Sequence, residues 1–189
     1  MYASRAFDRI SVADYLEGEK DADIRHEYVY GYVYAMAGSS PAHNIIAGNI
    51  LRSFGNALES SPCVVYASDM KVRADEEVFY YPDVMIVCDN DLTSYFQEQP
   101  CVIVEILSKT TSRKDLHEKR FMYQRLPSLE LYLLVDSRTH QVYGHYRTDK
   151  GWEERAFDVG QPIPIPCAET ELTHEQIYAK TELAVEREG

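Results

Sequence analysis

The sequence predicts an α/β fold in which a mixed β-sheet is flanked by helices, with an added antiparallel hairpin. Helical and strand-like segments follow one another in the order helix, three strands, helix, strand. Several of these strands are almost wholly apolar, which is typical of strands covered on both faces. A length of 189 residues with 45% apolar side chains is enough for one domain, residues 1–189, with a sizeable core.

The amino-terminal part is expected to contain a short helix, a hairpin and a long helix. Ser11 is a typical N-cap, which predicts a helix to about residue 19. Tyr28–Met36 is rich in tyrosine and valine and predicts two short strands or one bulged strand. After Ser40, a second candidate cap, apolar residues recur at helical spacing up to Pro62.

The central part is expected to form adjacent strands and a second helix. Three β-rich segments are separated by polar turns: Cys63–Arg73, Val78–Val87 and Cys101–Leu107. Thr111 or Ser112 can cap a helix that runs to about Leu126, and Leu131–Val135 is a further apolar strand.

The carboxyl-terminal part predicts a second antiparallel pair and a last helix. Tyr143–Tyr146 and Trp152–Phe157 flank a turn and are expected to pair. Three prolines between Pro162 and Pro166 predict an extended crossing, and His174–Ala184 predicts the last helix.

The charge is unevenly distributed along the chain. A net charge of -12 argues against indiscriminate attraction to nucleic acid. The segment Lys109–Arg125 nevertheless holds six basic and two acidic side chains, a local charge of +4. Such a segment is either a solvated helix face or a place where a polyanion docks.

Neither a membrane span nor a covalent or metal crosslink is expected. Charged residues interrupt every apolar run well before bilayer length, and the amino end lacks the pattern of a secretory signal, so we expect a cytoplasmic protein. No two cysteines have the spacing of a zinc or redox motif, so we expect reduced thiols, without structural zinc or disulfides. These residues are Cys63, Cys88, Cys101 and Cys167.

Two acidic residues lie in unusually apolar strands. Glu105 interrupts the run Val102–Leu107, and Asp83 follows Pro82 at the start of another apolar run. An unpaired buried charge is costly, so a cation, a proton or a metal ion must compensate it. If the strands are paired, the two carboxylates can converge on a hard divalent cation that activates water beside a phosphate. The alternative is a turn residue and a core salt bridge.

These residues also resemble a known family of enzymes. Pro82-Asp83, a loop and Glu105 on an apolar strand resemble the PD-(D/E)XK nuclease superfamily, whose core has the order αβββαβ. Over about residues 25–136, further motifs are similar to those of the Uma-type restriction endonuclease family. The motifs are His26-Glu27-Tyr28-Val29, Ala35-Met36-Ala37-Gly38, His43-Asn44, Ser68-Asp69-Met70-Lys71-Val72, Tyr81-Pro82-Asp83-Val84-Met85 and Val104-Glu105-Ile106-Leu107-Ser108.

The resemblance implies a site for Mg²⁺ or Mn²⁺. Asp83, Glu105 and the backbone carbonyl of Ile106 would hold the ion, with Glu27 as a further ligand or an orienting acid. The superfamily's lysine, two residues after the glutamate, is replaced by Leu107. Lys119 from the following helix is the residue expected to take its catalytic role.

Other residues compete for roles in the site. Asp115, Lys119 and Tyr123 share one helical face, either toward the site or as a surface ion pair and a core tyrosine. Lys71 is the alternative lysine, with Lys109 ranked last. His43 is interpreted as a capping or packing residue.

The sequence therefore predicts a metal-dependent endonuclease that acts on DNA, with RNA left open. Arg113, Lys114 and Arg120 are expected to contact the phosphate backbone. A homodimer is expected, with the 15 tyrosines as candidate interface residues. One alternative is an inactive nuclease-fold module that binds nucleic acid or a protein partner; another is a protein that only assembles through its tyrosine-rich surfaces.

Overall fold

The computed structural model describes residues 9–36, 38–89, 91–108 and 113–185, and the side chains of residues 113–115 are outside this description. A short 3₁₀ helix occupies Pro166–Ala168. In chain order the other elements are α1 (Val12–Gly18), β1 (His26–Val29), β2 (Tyr32–Ala35), α2 (Pro41–Ala57), β3 (Val64–Ala67), β4 (Lys71–Asp75), β5 (Val78–Tyr80), β6 (Val84–Val87), β7 (Phe96–Gln97), β8 (Pro100–Leu107), α3 (Arg113–Tyr123), β9 (Leu131–Asp136), β10 (Val142–Thr148), β11 (Gly151–Phe157), β12 (Ile163–Ile165), β13 (Thr170–Leu172) and α4 (His174–Tyr178).

A six-stranded mixed sheet forms the centre, in the order β11-β10-β9-β8-β6-β3. Strands β8 and β9 are parallel, and the other neighbouring strands are antiparallel. Strands β8 and β9 can be parallel because a crossover connection through α3 joins them in sequence. The predicted α/β fold with a mixed sheet flanked by helices is confirmed.

Side chains alternate between the two faces of this sheet. Val84, Ile86 and Val104 pack toward α2 and α4. Met85 and Ile103 pack on the opposite face, toward α3, β4 and β5. Both faces are covered, which explains why β6 and β8 are almost continuously apolar.

A second sheet of five strands has the order β2-β1-β5-β4-β7. It corrects the expectation that each β-rich segment is one strand of a single sheet. Cys63–Arg73 divides into β3 and β4 at a polar turn, and Val78–Val87 divides into β5 and β6. The second break falls at Pro82, which cannot donate a ladder hydrogen bond, so the chain changes sheets there.

The predicted helix starts agree with the structure where it describes them. The side chains of Ser11 and Ser40 accept hydrogen bonds from the first turns of α1 and α2. The expected cap of α3 at Thr111 or Ser112 lies outside the described residues. Helix α4 ends at Tyr178 rather than at residue 184, because the next residue, Ala179, is extended (φ -52°, ψ 131°). None of the described helices is both long and apolar enough to span a membrane.

The cysteines are paired, contrary to the expectation of reduced thiols. Disulfides join Cys63 to Cys88 and Cys101 to Cys167. Val64 is the register partner of Val87 on antiparallel strands, so the flanking residues Cys63 and Cys88 meet at the strand ends. The paired cysteines are 25 and 66 residues apart in sequence, so no local motif predicts either pair.

Candidate active site

Asp83 and Glu105 are brought together by the pairing of β6 with β8. Val84 is the register partner of Val104, so the next positions, Asp83 and Glu105, lie opposite each other. The Ile106 backbone N–H donates to Asp83 Oδ2 at 2.7 Å, which fixes that carboxylate. By strand alternation Glu105 projects toward the face that α3 covers, whereas Asp83, which directly precedes β6, contacts His43 of α2.

Glu105 lies in a buried and strongly perturbed environment. Glu105 is only 9% exposed, and its Oε1 accepts hydrogen bonds from the Tyr123 hydroxyl (2.9 Å) and from Lys119 Nζ (3.4 Å). Burial raises the pKa of Glu105 to about 8; Lys119 opposes this shift, whereas the carboxylates of Asp83 and Glu27 add to it. Burial and the neighbouring carboxylates thus disfavour the charged form of Glu105, and a bound cation would favour it.

Lys119 joins carboxylates from the two sheets. Its Nζ lies 2.8 Å from Glu27 Oε1 and 3.4 Å from Glu105 Oε1, and its side chain is 11% exposed. Glu27, on β1, also accepts a hydrogen bond from the Tyr81 backbone N–H at 3.3 Å. Lys119 and Tyr123 therefore share the helical face expected from their spacing, and that face is directed at Glu105.

His43 is a residue of the site that sequence reasoning did not place there. Its Nε2 is 3.2 Å from Asp83 Oδ2, and its backbone N–H donates to the cap Ser40. Burial opposes protonation, but contact with Asp83, the charge of Glu105 and a hydrogen bond with the Ile106 backbone together raise the pKa of His43. Its spacing from the buried Ile46 and Ile50 was an available signal, since positions three and seven residues apart share a helical face.

Lys71 lies in a separate buried network. Its Nζ donates to the Tyr81 hydroxyl at 3.1 Å, and that hydroxyl donates to Glu19 Oε1 at 3.0 Å. Burial lowers the pKa of Lys71, with the charge of Glu19 opposing the shift. Of these two lysines, Lys119 is the one in contact with Glu105.

The basic residues of α3 are only partly described. Arg120 contacts acceptors within the chain: its Nη1 is 3.7 Å from Glu154 Oε2, and its Nη2 is 3.4 Å from His117 Nδ1. The side chains of Arg113, Lys114 and Asp115, and the whole of Lys109, lie outside the described residues. Their expected roles stay predictions.

The donor set fits a hard divalent cation. The side chains of Asp83, Glu105 and Glu27 and the backbone carbonyl of Ile106 offer oxygen, which Mg²⁺ and Mn²⁺ prefer. Burial, with a smaller contribution from the charges of Asp83 and Glu27, raises the pKa of Glu105, and a bound cation would favour its charged form. These four residues could therefore hold the ion.

Comparisons with known proteins concern the family and the fold of the chain. The model of the Uma2 family, described as "putative restriction endonuclease", matches residues 12–180. An uncharacterized protein of Synechocystis is 32% identical, covering 78% of this chain and 80% of its own length, and a second is 29% identical, covering 76% and 84%. A crystal structure of a "putative nuclease belonging to DUF820" from Anabaena variabilis has a TM-score of 0.75 at 13% identity, covering 90% of this chain and 98% of that one.

Proposed function

The chain belongs to the Uma2 family of putative restriction endonucleases, and from this we propose that it is a Mg²⁺- or Mn²⁺-dependent endonuclease that hydrolyses phosphodiester bonds in DNA. The observation that carries the proposal is the contact between Lys119 and Glu105, beside Asp83, which directly precedes the neighbouring strand β6. Two carboxylates beside one ammonium group supply both the metal ligands and the charge that phosphodiester hydrolysis requires.

Asp83, Glu105 and the carbonyl of Ile106 would hold the metal ion, with Glu27 as a further ligand or as the acid that orients Lys119. A bound ion of this kind supplies an activated water and offsets charge on the scissile phosphate. The Tyr123 hydroxyl orients Glu105 by donating to Oε1. The ammonium group of Lys119 would donate a hydrogen bond to the attacking water or to a phosphate oxygen.

Lys119 substitutes for the lysine that the superfamily carries on the strand itself. Residue 107 is on the same side of β8 as Glu105, because side chains two positions apart share a face. Leucine at that position offers no charge, whereas Lys119 reaches Glu105 from α3. The helix thus restores a cation beside the glutamate.

Exposed tyrosines beside the site support a nucleic-acid substrate. Tyr34 is the cross-strand partner of Glu27, and its residue is 55% exposed. Tyr32 lies two positions away on the same side of β2, is 44% exposed, and has the Arg9 guanidinium carbon 5.8 Å from its ring centroid. Aromatic rings with a nearby cation provide stacking surfaces for bases.

The proposal is tested with purified protein, supercoiled plasmid and a panel of single-stranded and branched oligonucleotides. We expect cleavage with Mg²⁺ or Mn²⁺, none with chelator, and none by Glu105→Gln or Lys119→Met. The matched controls are Glu171→Gln and Lys150→Met, which change exposed residues of the same types. Cleavage that survives chelator and both site variants would refute the proposal.

A second candidate function is an inactive nuclease-fold module that binds nucleic acid or a protein partner. Leu107 at the usual lysine position is the observation that favours it. Such a module would bind the same oligonucleotides without cutting any of them. Binding without cleavage across the panel, unchanged by Lys119→Met, would support this second function.

We also propose that the active form is a homodimer, because two sites are needed to cut both strands of a duplex in one encounter. Sedimentation velocity of the full chain should give the mass of two copies. A single-copy mass under the conditions of cleavage would contradict this part of the proposal.

A further inference from the structure

All four cysteines of the chain meet at one end of the central sheet. Cys63 precedes β3 and Cys88 follows β6, at the end where these antiparallel strands are paired through Val64 and Val87. Cys101 lies on β8 beside the register shift between β6 and β8. Cys167 reaches the same place from the 3₁₀ helix between β12 and β13. Four soft ligands from distant parts of the chain thus converge.

The sulfur atoms of the two disulfides lie close enough together to be ligands of a single metal ion. Cys88 Sγ is 3.7 Å from Cys101 Sγ although the two belong to different disulfides. The Sγ atoms of Cys88, Cys101 and Cys167 all lie within 4.8 Å of one another, and Cys63 is bonded to Cys88. Four thiolates at about 2.3 Å from a tetrahedral Zn²⁺ are separated by about 3.8 Å. The sulfur atoms of Cys88, Cys101 and Cys167 are already near this spacing, and the sulfur of Cys63 is adjacent through its bond to Cys88.

We propose that the reduced cluster binds one Zn²⁺ through the thiolates of Cys63, Cys88, Cys101 and Cys167, as the alternative to the two disulfides. A dithiol reductant supplies two electrons and two protons to each disulfide and is itself oxidised to a cyclic disulfide. The four thiols formed then exchange their protons for the metal ion, which releases up to four protons as the Zn–S bonds form. Thiolates are the ligands that select zinc over magnesium.

Both states of the cluster tie the same elements together. The disulfides link the end of β3 to that of β6 and the end of β8 to the β12–β13 hairpin, and a shared metal ion would join all four. The cluster is roughly 16 Å from Asp83, because residues 83 and 88 are five positions apart along an extended strand. Its oxygen-free ligand set is also of a different class from the carboxylate site, so zinc binding here does not depend on the proposed nuclease activity.

The test measures metal bound by the full chain after reduction and removal of metal. We expect one zinc per chain, and with Co²⁺ in its place a sulfur-to-cobalt charge-transfer band, which the carboxylate site cannot produce. Zinc should protect all four thiols of the unaltered chain from alkylation, as counted by mass spectrometry, and chelator should expose all four. This measurement needs no variant and is therefore independent of any folding defect.

The double variant Cys101→Ser/Cys167→Ser should strongly weaken the charge-transfer band, because its intensity scales with the number of cobalt–sulfur bonds, whereas Glu105→Gln should keep it. Reduced protein with four alkylatable thiols at saturating zinc would overturn the proposal and leave the cysteines as disulfide partners only. A cobalt spectrum without the thiolate band would overturn it as well.

Discussion

Replacing Glu105 by glutamine should stabilise the metal-free protein while abolishing cleavage. Burial raises the pKa of Glu105 from its ordinary 4.5 to about 8 in the folded state. Folding at neutral pH must therefore either bind a proton or bury a charge. Glutamine has nearly the same shape, can still accept the Tyr123 hydrogen bond, and carries no charge to bury.

The size of the effect follows from the linkage between proton binding and folding. Because the folded-state pKa is raised, the folded state binds more protons than the unfolded state between about pH 4.5 and 8. The energetic cost of Glu105 is thus small at pH 5 and about 3 kcal/mol at pH 7. The stability advantage of Glu105→Gln over the unaltered protein should therefore grow by about 2 to 3 kcal/mol from pH 5 to pH 7.

Urea denaturation in chelator at the two pH values measures this difference, with the linear extrapolation giving the free energy of unfolding. Glu171→Gln is the matched control and should show no such growth, because Glu171 is exposed. An advantage of Glu105→Gln that is equal at pH 5 and pH 7, or a variant less stable than the unaltered protein at pH 7, would refute the electrostatic reasoning.

Three further predictions concern the site and the core. Lys119→Met should reduce plasmid cleavage by about 100-fold or more, because Glu27 and Glu105 lose their shared ammonium group. Asn49→Ala should lower the free energy of unfolding by about 1–3 kcal/mol in urea denaturation, since its amide donates to the carbonyls of Ile177 (3.0 Å) and Ala179 (2.7 Å). Burial lowers the pKa of His145, so its neutral form stabilises the fold above about pH 6.5 and that contribution is lost as the pH falls. His145→Gln should therefore lose less thermal stability between pH 7 and pH 5.5 than the unaltered protein, and an equal loss would contradict the assignment.

The helices and strands of the fold were predictable where the local sequence pattern, a helix cap or an apolar run, matches the burial of the residues in the structure. Ser11 and Ser40 predict helix starts. The apolar runs of β6, β8 and β9 predict strands that are covered on both faces. The division of the β-rich segments between two sheets was not predictable in the same way. A polar turn or Pro82 interrupts a strand, but where the next strand pairs depends on contacts distant in sequence.

The candidate site was predictable in part for the same reason. Asp83 and Glu105 stood out because carboxylates are costly in apolar strands, and the spacing of Lys119 and Tyr123 placed them on one helical face. The contact of His43 with Asp83 was missed because the residue also makes an ordinary N-terminal helix turn. The meeting of the cysteines was missed because the register of β3 with β6, not sequence spacing, brings them together.

In the proposed mechanism, Asp83 and Glu105 together hold the divalent ion. Titration of the metal-free chain with Mn²⁺, followed by the loss of the free-ion paramagnetic resonance signal, tests it without a need to know the preferred DNA substrate. Mn²⁺ should bind saturably to the unaltered chain and to Glu171→Gln, and this binding should be lost in both Asp83→Asn and Glu105→Gln. Equal binding by the unaltered protein and the two site variants, or no binding by the unaltered protein, would contradict it.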